Sequence, residues 1–253
     1  MAKAKKLNNC KLYNEDCIAA LKKIKPNSVD LIFADPPYNL SDKKFLTVKS
    51  GTVAKCDKGE WDKIDNIEAF NIEWITQCRR VLKDNGTIWI SGTLHNHPSI
   101  GQCLKKLKFW IINDIIWFKR NAPPLLSRNR LVPSTELIWL ASKNKKYYFN
   151  YEHAKKFNSG KQLRNMWEIN SQRHVTEHPT EKPEILLERI LEIGTEKKSI
   201  VLDPFMGSGT TGVVAKRYER NFIGIEINKR YFKIAKKRIG MTRVDQELKF
   251  LTA

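Results

Sequence analysis

No stretch of this 253-residue chain is apolar for long enough to cross a bilayer, and no amphipathic tail is evident, so a membrane protein is not expected. Acidic residues are scarce: Asp and Glu number 27 against 46 Lys and Arg, which leaves a formal net charge of +19. The basic residues run along the whole chain, with only Lys3, Lys5 and Lys6 clustered. The excess therefore belongs to a folded surface and points to a polyanionic partner rather than to a solubility tail. The five cysteines, at 10, 17, 56, 78 and 103, form no CxxC pair and no regular spacing, which leaves reduced thiols of a cytosolic protein. His95 with His97, and His174 with His178, lack cysteine or carboxylate partners at ligand spacing, so no metal site is expected. No apolar signal region follows the basic N-terminus. The glycine-rich loop near residue 207 is not followed by Gly-Lys-Ser/Thr, so a triphosphate is poorly served.

What is present is organised around Asp35-Pro36-Pro37-Tyr38. The run before it, VDLIFA at residues 29–34, is short, rich in β-formers and closed by two prolines, and reads as a buried strand of a parallel sheet. The tetrapeptide then stands at the strand's C-terminal edge, where open α/β sheets bind ligands. Asp35 and the Pro36 carbonyl offer only acceptors, Pro37 stiffens the backbone and removes an N–H, and Tyr38 supplies a flat face. Two acceptors for an amino group and an aromatic for its ring describe a site for adenine or cytosine.

Upstream, residues 7–13 carry a short strand, and Asp16 either caps a helix over residues 17–24 or accepts from a nucleoside amine at the strand's end. Downstream, residues 39–63 are polar and basic; they form either a solvated loop or a lid carrying Lys43, Lys44, Lys49, Lys55 and Lys58 to a nucleic-acid backbone. Helices are expected over residues 67–82 and 98–107, and strands over 87–91, 109–118 and 136–141. Between the last two strands, residues 119–135 read as a surface loop on the ligand side, and Asn121, Arg128, Asn129 and Arg130 are of the types that read bases and grip phosphates. Residues 143–176 interleave Tyr147, Tyr148, Phe149, Tyr151, Phe157 and Trp167 with basic residues, a mixture that suits nucleic acid, although half of those aromatics would serve to pack this lobe. Gln172, Arg173 and His174 are further candidate contacts in this recognition region.

Pattern returns with a helix over residues 184–193 and a strand over 199–202, which leads into Asp203 and the turn DPFMGSGTT. A strand that passes through a glycine-rich turn into a helix, here over 211–217, aims backbone N–H groups and a helix N-terminus at a ligand. The next strand, over 221–225, ends in Glu226, placed to accept both hydroxyls of a ribose. A nucleoside without a phosphate chain, such as an adenosine carrying an amino-acid end, fits this loop. A helix over 231–239 closes the pattern.

The stretches NEDC, DPPYNL, HPTEKPEILLERI, DPFMGSGTT and FIGIEINKRYF resemble, in order, the motifs of the bacterial amino-group DNA methyltransferases of the β-class, over most of residues 8–240. The resemblance implies a Rossmann-like, circularly permuted α/β fold with a mixed seven-stranded sheet and one antiparallel strand. It implies a single domain, residues 1–253, with a catalytic half at 8–120, target recognition at 121–177 and a cofactor half at 178–240. It further implies S-adenosylmethionine held by Asp203, Phe205, Gly207, Ser208, Gly209, Thr210, Glu226 and Asn228. Lys182 and Pro183 would lie on its methionine side, Asp16 and Cys17 near its adenine, and Asp35 beside it at the reacting centre. Asp16 follows Glu15 where the family commonly has glycine. FADPPYNL, GEWDKI, WFKRNAPP and STELIWLASK look most like the cell-cycle adenine enzymes that read GANTC, whose further C-terminal segment is missing here.

The implied reaction is methyl transfer to the N6 amine of an adenine flipped out of double-stranded DNA, with Asp35, Pro36, Pro37 and Tyr38 as catalytic residues. A cognate restriction endonuclease, a homodimer and a cytoplasmic, nucleoid-associated location are expected by the same resemblance. Two alternatives stand beside it. Cytosine-N4 methylation uses the same chemistry, but its members more often have Ser in place of the first Asp. A non-catalytic DNA-binding specificity module would have no reason to keep intact DPPY and FMGSGTT.

Overall fold

The computed structural model describes residues 5–7, 9–37, 46–47, 53–54, 64, 66–125, 128–172 and 181–244. The chain runs through β1 (Lys5–Leu7), β2 (Cys10–Tyr13), α1 (Cys17–Lys22), β3 (Val29–Ala34) and the short hairpin β4 (Leu46–Thr47) and β5 (Val53–Ala54). It continues through α2 (Ile67–Val81), β6 (Leu82–Gly92), α3 (His97–Lys106), β7 (Trp110–Phe118), β8 (Thr135–Ser142), α4 (Tyr151–Lys156) and β9 (Met166–Glu168). It ends with α5 (Glu184–Gly194), β10 (Ile200–Asp203), α6 (Thr210–Arg217), β11 (Asn221–Ile225) and α7 (Lys229–Met241).

Nine strands form one sheet in the order β1-β2-β11-β10-β3-β6-β8-β7-β9. The seven from β2 to β7 are the expected mixed sheet with a single reversed strand, β8, which pairs antiparallel with both β6 and β7. Two short edge strands extend it: β1 folds back antiparallel on β2, and β9 joins β7 in parallel. The last two strands of the chain, β10 and β11, lie between β2 and β3, which is the permuted order.

Alternation along β3 explains why its sequence is apolar from Leu31 to Ala34. Leu31 and Phe33 face a core with α4, α5, α6 and α7, whereas Ile32 and Ala34 face a second core with α1, α2 and α3. Both layers are buried, so period-two polarity is absent, as in parallel sheets covered on each side. Trp74 in α2, Trp89 in β6 and Trp117 in β7 are the largest fully buried side chains. Asp16 caps α1, its Oδ1 accepting from Ala19 N at 2.9 Å.

The main departure from expectation concerns residues 143–169. After β8 the chain is on the edge opposite Asp35: Tyr148 N donates to Asn85 O, and Asn150 N donates to Ile193 O at the end of α5. Helix α4 packs on α5, with Ala154, Trp167 and Ile169 in the core. The stretch is thus tied into the sheet, with Phe149 and Tyr151 exposed below it. Only from Ile169 onward does the chain return to the edge that carries Asp35, where Ile169 N donates to Phe118 O.

Candidate active site

Parallel pairing of β2, β11, β10, β3 and β6 brings Asp35, Asp203 and Glu226 to one edge of the sheet. Asp35 follows β3 directly, and Pro36 and Pro37 behind it are buried. A cleft at this edge is lined by Asp35, Lys182, Asp203, Phe205, Ser208 and Thr210, among others. Tyr38 lies outside the described residues, as do Lys43, Lys44, Arg173 and His174.

Asp203 ends β10 with its side chain 3% exposed. Its carboxylate accepts from Thr211 Oγ1 at 2.6 Å and from Phe205 N at 2.9 Å. Burial nevertheless pushes its pKa from 3.8 up to about 7, and the negative charges of Asp35 and Glu226 add to the shift. Between β10 and α6 the chain makes a tight turn, with Gly207 at φ 52° and Gly209 at φ 85° as the N-cap of α6. Gly209 is required here twice over: its φ is one that L side chains rarely adopt, and an added Cβ would lie 2.8 Å from Ala235 Cβ on α7. The turn is tied to β11 through Met206 N and Ile225 O at 2.9 Å.

Glu226 closes the far side of the turn, accepting from Gly207 N at 3.0 Å and Asn228 N at 2.7 Å. Burial raises its pKa against those two bonds. Asn228 caps α7. Beside it, Asn14 Nδ2 donates to Glu226 O at 2.8 Å, which fixes the end of β2 against β11. Phe205 lines the cleft while its ring packs edge-on against Trp74 at 5.3 Å.

Lys182 is 8% exposed and its ammonium touches Asp35 Oδ2 at 2.5 Å. The same ammonium lies 3.4 Å from Glu136 Oε2, and Glu136 Oε1 is 2.5 Å from Lys119 Nζ. Burial alone would raise the Glu136 carboxyl, but Lys182 and Lys119 outweigh it and its pKa falls below the ordinary value. Sequence reasoning assigned Lys182 to the cofactor and passed over Glu136 and Lys119. Glu136 stands at the start of a strand, whereas carboxylates were sought at strand ends. Because β8 is reversed, its beginning meets the same edge.

A second missed pair flanks the glycine turn. Glu181 accepts from Ser208 Oγ at 2.6 Å and from Arg238 Nη1 at 3.2 Å, and Arg238 also donates to Ser208 O at 3.0 Å. Their signal was position: Glu181 precedes Lys182, and Arg238 falls on the face of α7 that meets the turn.

The remaining candidates are spread out. Asp16 is exposed and occupied as a helix cap, Cys17 is buried in the core behind it, and Pro183 is the buried N-cap of α5. Asn121 brackets two loops, accepting from Ser171 N and donating to Ser171 O, each at 2.9 Å. Gln172 Oε1 accepts from Glu184 N at the start of α5. Arg128, Asn129 and Arg130 are exposed on the loop between β7 and β8. His97 is buried and stacked on Trp139, with ring centroids 4.4 Å apart.

Residues 29–237, which run from the start of β3 into α7, match the N6/N4 family of DNA methylases. The chain belongs to this family. Curated relatives of the DNA methylase span nearly its whole length. The type II methyltransferase M2.LlaDCHI of Lactococcus lactis subsp. cremoris is 49% identical over 242 residues, 92% of this chain and 90% of that one. M2.DpnII of Streptococcus pneumoniae is 48% identical with the same coverage. Among solved structures, the complex of M1.HpyAVI with SAM superposes with a TM-score of 0.69 at 32% identity, covering 92% of this chain and 100% of that one. The cytosine-N4-specific PvuII DNA methyltransferase shares the fold, with a TM-score of 0.73 at 19% identity over 99% of this chain and 94% of that one.

Proposed function

We propose that this DNA methylase transfers a methyl group from S-adenosylmethionine to the N6 amine of an adenine in duplex DNA, at a specific short sequence. The observation that carries the reading is Asp35, a carboxylate backed by two buried prolines at the end of the central strand, inside the cleft that also holds the β10–α6 turn.

The donor set fits the cofactor. Glu226 supplies a carboxylate for ribose hydroxyls, the turn at Gly207, Ser208 and Gly209 presents backbone to its amino-acid end, and Glu181 and Arg238 stand beside that turn with one charge of each sign. No lysine clamp for a phosphate chain follows the turn. When bound, S-adenosylmethionine supplies an electrophilic methyl on a sulfonium.

The chain's own residues do the rest. A paired base cannot reach the cleft, so the adenine leaves the stack, at a cost of a few kcal/mol recovered in the pocket. Asp35 and the Pro36 carbonyl accept the two hydrogens of its amine. That localises a nitrogen lone pair otherwise delocalised into the ring. Asp35 need not be a strong base, because the amine becomes acidic only as the new bond forms. Tyr38 stacks on the extruded ring, and Lys182 holds one oxygen of Asp35 so that the other geometry is fixed. Orientation of this kind is worth roughly 7–11 kcal/mol. Arg128, Asn129 and Arg130, with Lys43, Lys44, Arg173 and His174, are assigned to the DNA backbone and bases. A β-class lineage, a homodimer and a companion endonuclease belong to the same proposal, the last supported by relatives named as type II methyltransferases.

Incubation of the purified chain with methyl-labelled cofactor and unmethylated duplex, followed by nuclease digestion and chromatography, tests the reading. Label in N6-methyldeoxyadenosine is expected, and Asp35→Ala should remove it while cofactor affinity stays within about threefold. Label in N4-methylcytosine, or undiminished turnover by Asp35→Ala, would overturn it.

A further inference from the structure

We infer that Glu136 is a positioning residue for methyl transfer, holding Lys182 in place against Asp35 and linking that pair, through Lys119, to the loop between β7 and β8. The inference rests on the reading of Asp35 as acceptor for the target amine. Four side chains of alternating sign form a chain: Asp35, Lys182, Glu136, Lys119, with successive contacts of 2.5, 3.4 and 2.5 Å. Lys182 is 7% exposed at its side chain, Glu136 15% and Lys119 16%, so solvent screens none of the contacts strongly. Ser91, at the end of β6, adds a contact to Glu136 Oε2 at 3.4 Å.

The arrangement does two things. First, an ammonium has three donors and no acceptor, and Lys182 divides them between two carboxylates. Glu136 thereby anchors Lys182 from the far side and fixes the direction from which its ammonium meets Asp35 Oδ2, and so the orientation of Asp35 toward the amine. Without the Glu136 charge, the Lys182 and Lys119 ammonium groups face each other across a partly buried gap, and Lys182 is pushed out of the position from which it orients Asp35. Second, Lys119 directly follows β7 and Glu136 is the second residue of β8, so their contact closes the base of the loop that exposes Arg128, Arg130 and Leu131. The backbone bond from Lys119 N to Ser134 O, 2.7 Å, closes the same base. Duplex held by that loop is therefore coupled to the orientation of Asp35 through two salt bridges.

The test uses the full chain carrying Glu136→Gln, Glu136→Asp, Lys119→Gln, the double variant Glu136→Gln with Lys119→Gln, and Asp35→Asn as reference. Cofactor affinity is measured by calorimetry, and kcat and both KM values by methyl incorporation. Misplacing a reacting group by about 1 Å costs on the order of a hundredfold. Glu136→Gln should therefore lower kcat by roughly 10- to 100-fold with both KM values within about threefold, Glu136→Asp should recover most of the loss, and the double variant should be no slower than Glu136→Gln alone. An unchanged kcat in Glu136→Gln, a loss confined to KM for DNA, or strictly multiplicative losses in the double variant would overturn the inference. If Glu136→Gln fails to fold, Glu136→Asp and Lys119→Gln carry the same kcat comparison. Undiminished turnover by Asp35→Asn would instead remove the underlying reading, whatever Glu136 does.

Discussion

Asp203 is a carboxylate held where its charged form is disfavoured, with a pKa of about 7 against an ordinary 3.8. Between those values the folded chain retains a proton that the unfolded chain has released. Its contribution to stability therefore falls as pH rises from about 4 to about 7, and is level above that. Asp203→Asn removes this dependence while preserving an acceptor for Phe205 N. Melting temperatures measured without cofactor should show the Asn variant gaining on the wild type as pH rises from 5 to 8, by at most a few kcal/mol. A difference that is constant across that range would contradict the assignment. Asp35, Asp203 and Glu226 were all legible in the sequence for one reason: each directly follows a short β-forming run, and parallel strands collect such positions at one edge. Lys182, Glu136 and Lys119 were less legible as a unit. Their contacts span 147 positions between Lys182 and Asp35, and depend on a reversed strand that composition does not announce.

The elements with a clear period or a flanking motif were legible, short ones such as α1, β10 and β11 included, and the short elements with neither were not. Helices α2, α3, α5 and α7 are each ten residues or longer and carry a buried stripe, whereas α4 has six residues with one buried, and β9 has three. The sequence separates a helix over 67–82 from a strand over 87–91, yet α2 passes into β6 at Leu82 with no intervening loop, and β6 bulges against β3 before regaining register at Thr87. Gly86 serves close approach there, since a Cβ would lie 2.8 Å from Asp30 O. The glycine turn before α6 was legible as a motif, and its geometry gives a sharper expectation. Gly209→Ala combines a strained φ with a clash against α7, so it should destabilise the chain by about 1–3 kcal/mol and weaken cofactor binding at least tenfold. Thermal melting and calorimetry check both effects, and a fully stable variant with unaltered affinity would contradict the role given to this turn.

At the scale of the molecule, the net charge of +19 was the first sign of a polyanionic partner, and the family match gives that partner as DNA. Charge of this kind acts by releasing counterions from phosphates, so affinity for DNA should fall roughly a thousandfold or more between 50 and 200 mM salt, while affinity for the cofactor changes little. Removing Arg128 and Arg130 together should reduce the slope of log affinity against log salt by about two units. Equal slopes for the double variant and the wild type would take that loop off the DNA. The described part of the stretch proposed for target recognition divides between the two edges of the sheet. Residues 121–125, 128–134 and 170–172 lie at the edge that carries Asp35, but Tyr147, Tyr148, Phe149 and Tyr151 precede or begin α4 on the other edge, where the chain goes to complete the packing of α5.

In the proposed reaction Asp35 directs methyl transfer to adenine N6 at a defined sequence in duplex DNA. Single-molecule sequencing of genomic DNA from a methylation-free host expressing this chain tests it most directly, because modified base and flanking sequence are read together. N6-methyladenine is expected in one short motif only, and in no DNA from a host expressing Asp35→Ala. N4-methylcytosine in the motif, or an unmodified genome with the protein folded and cofactor-bound, would contradict it.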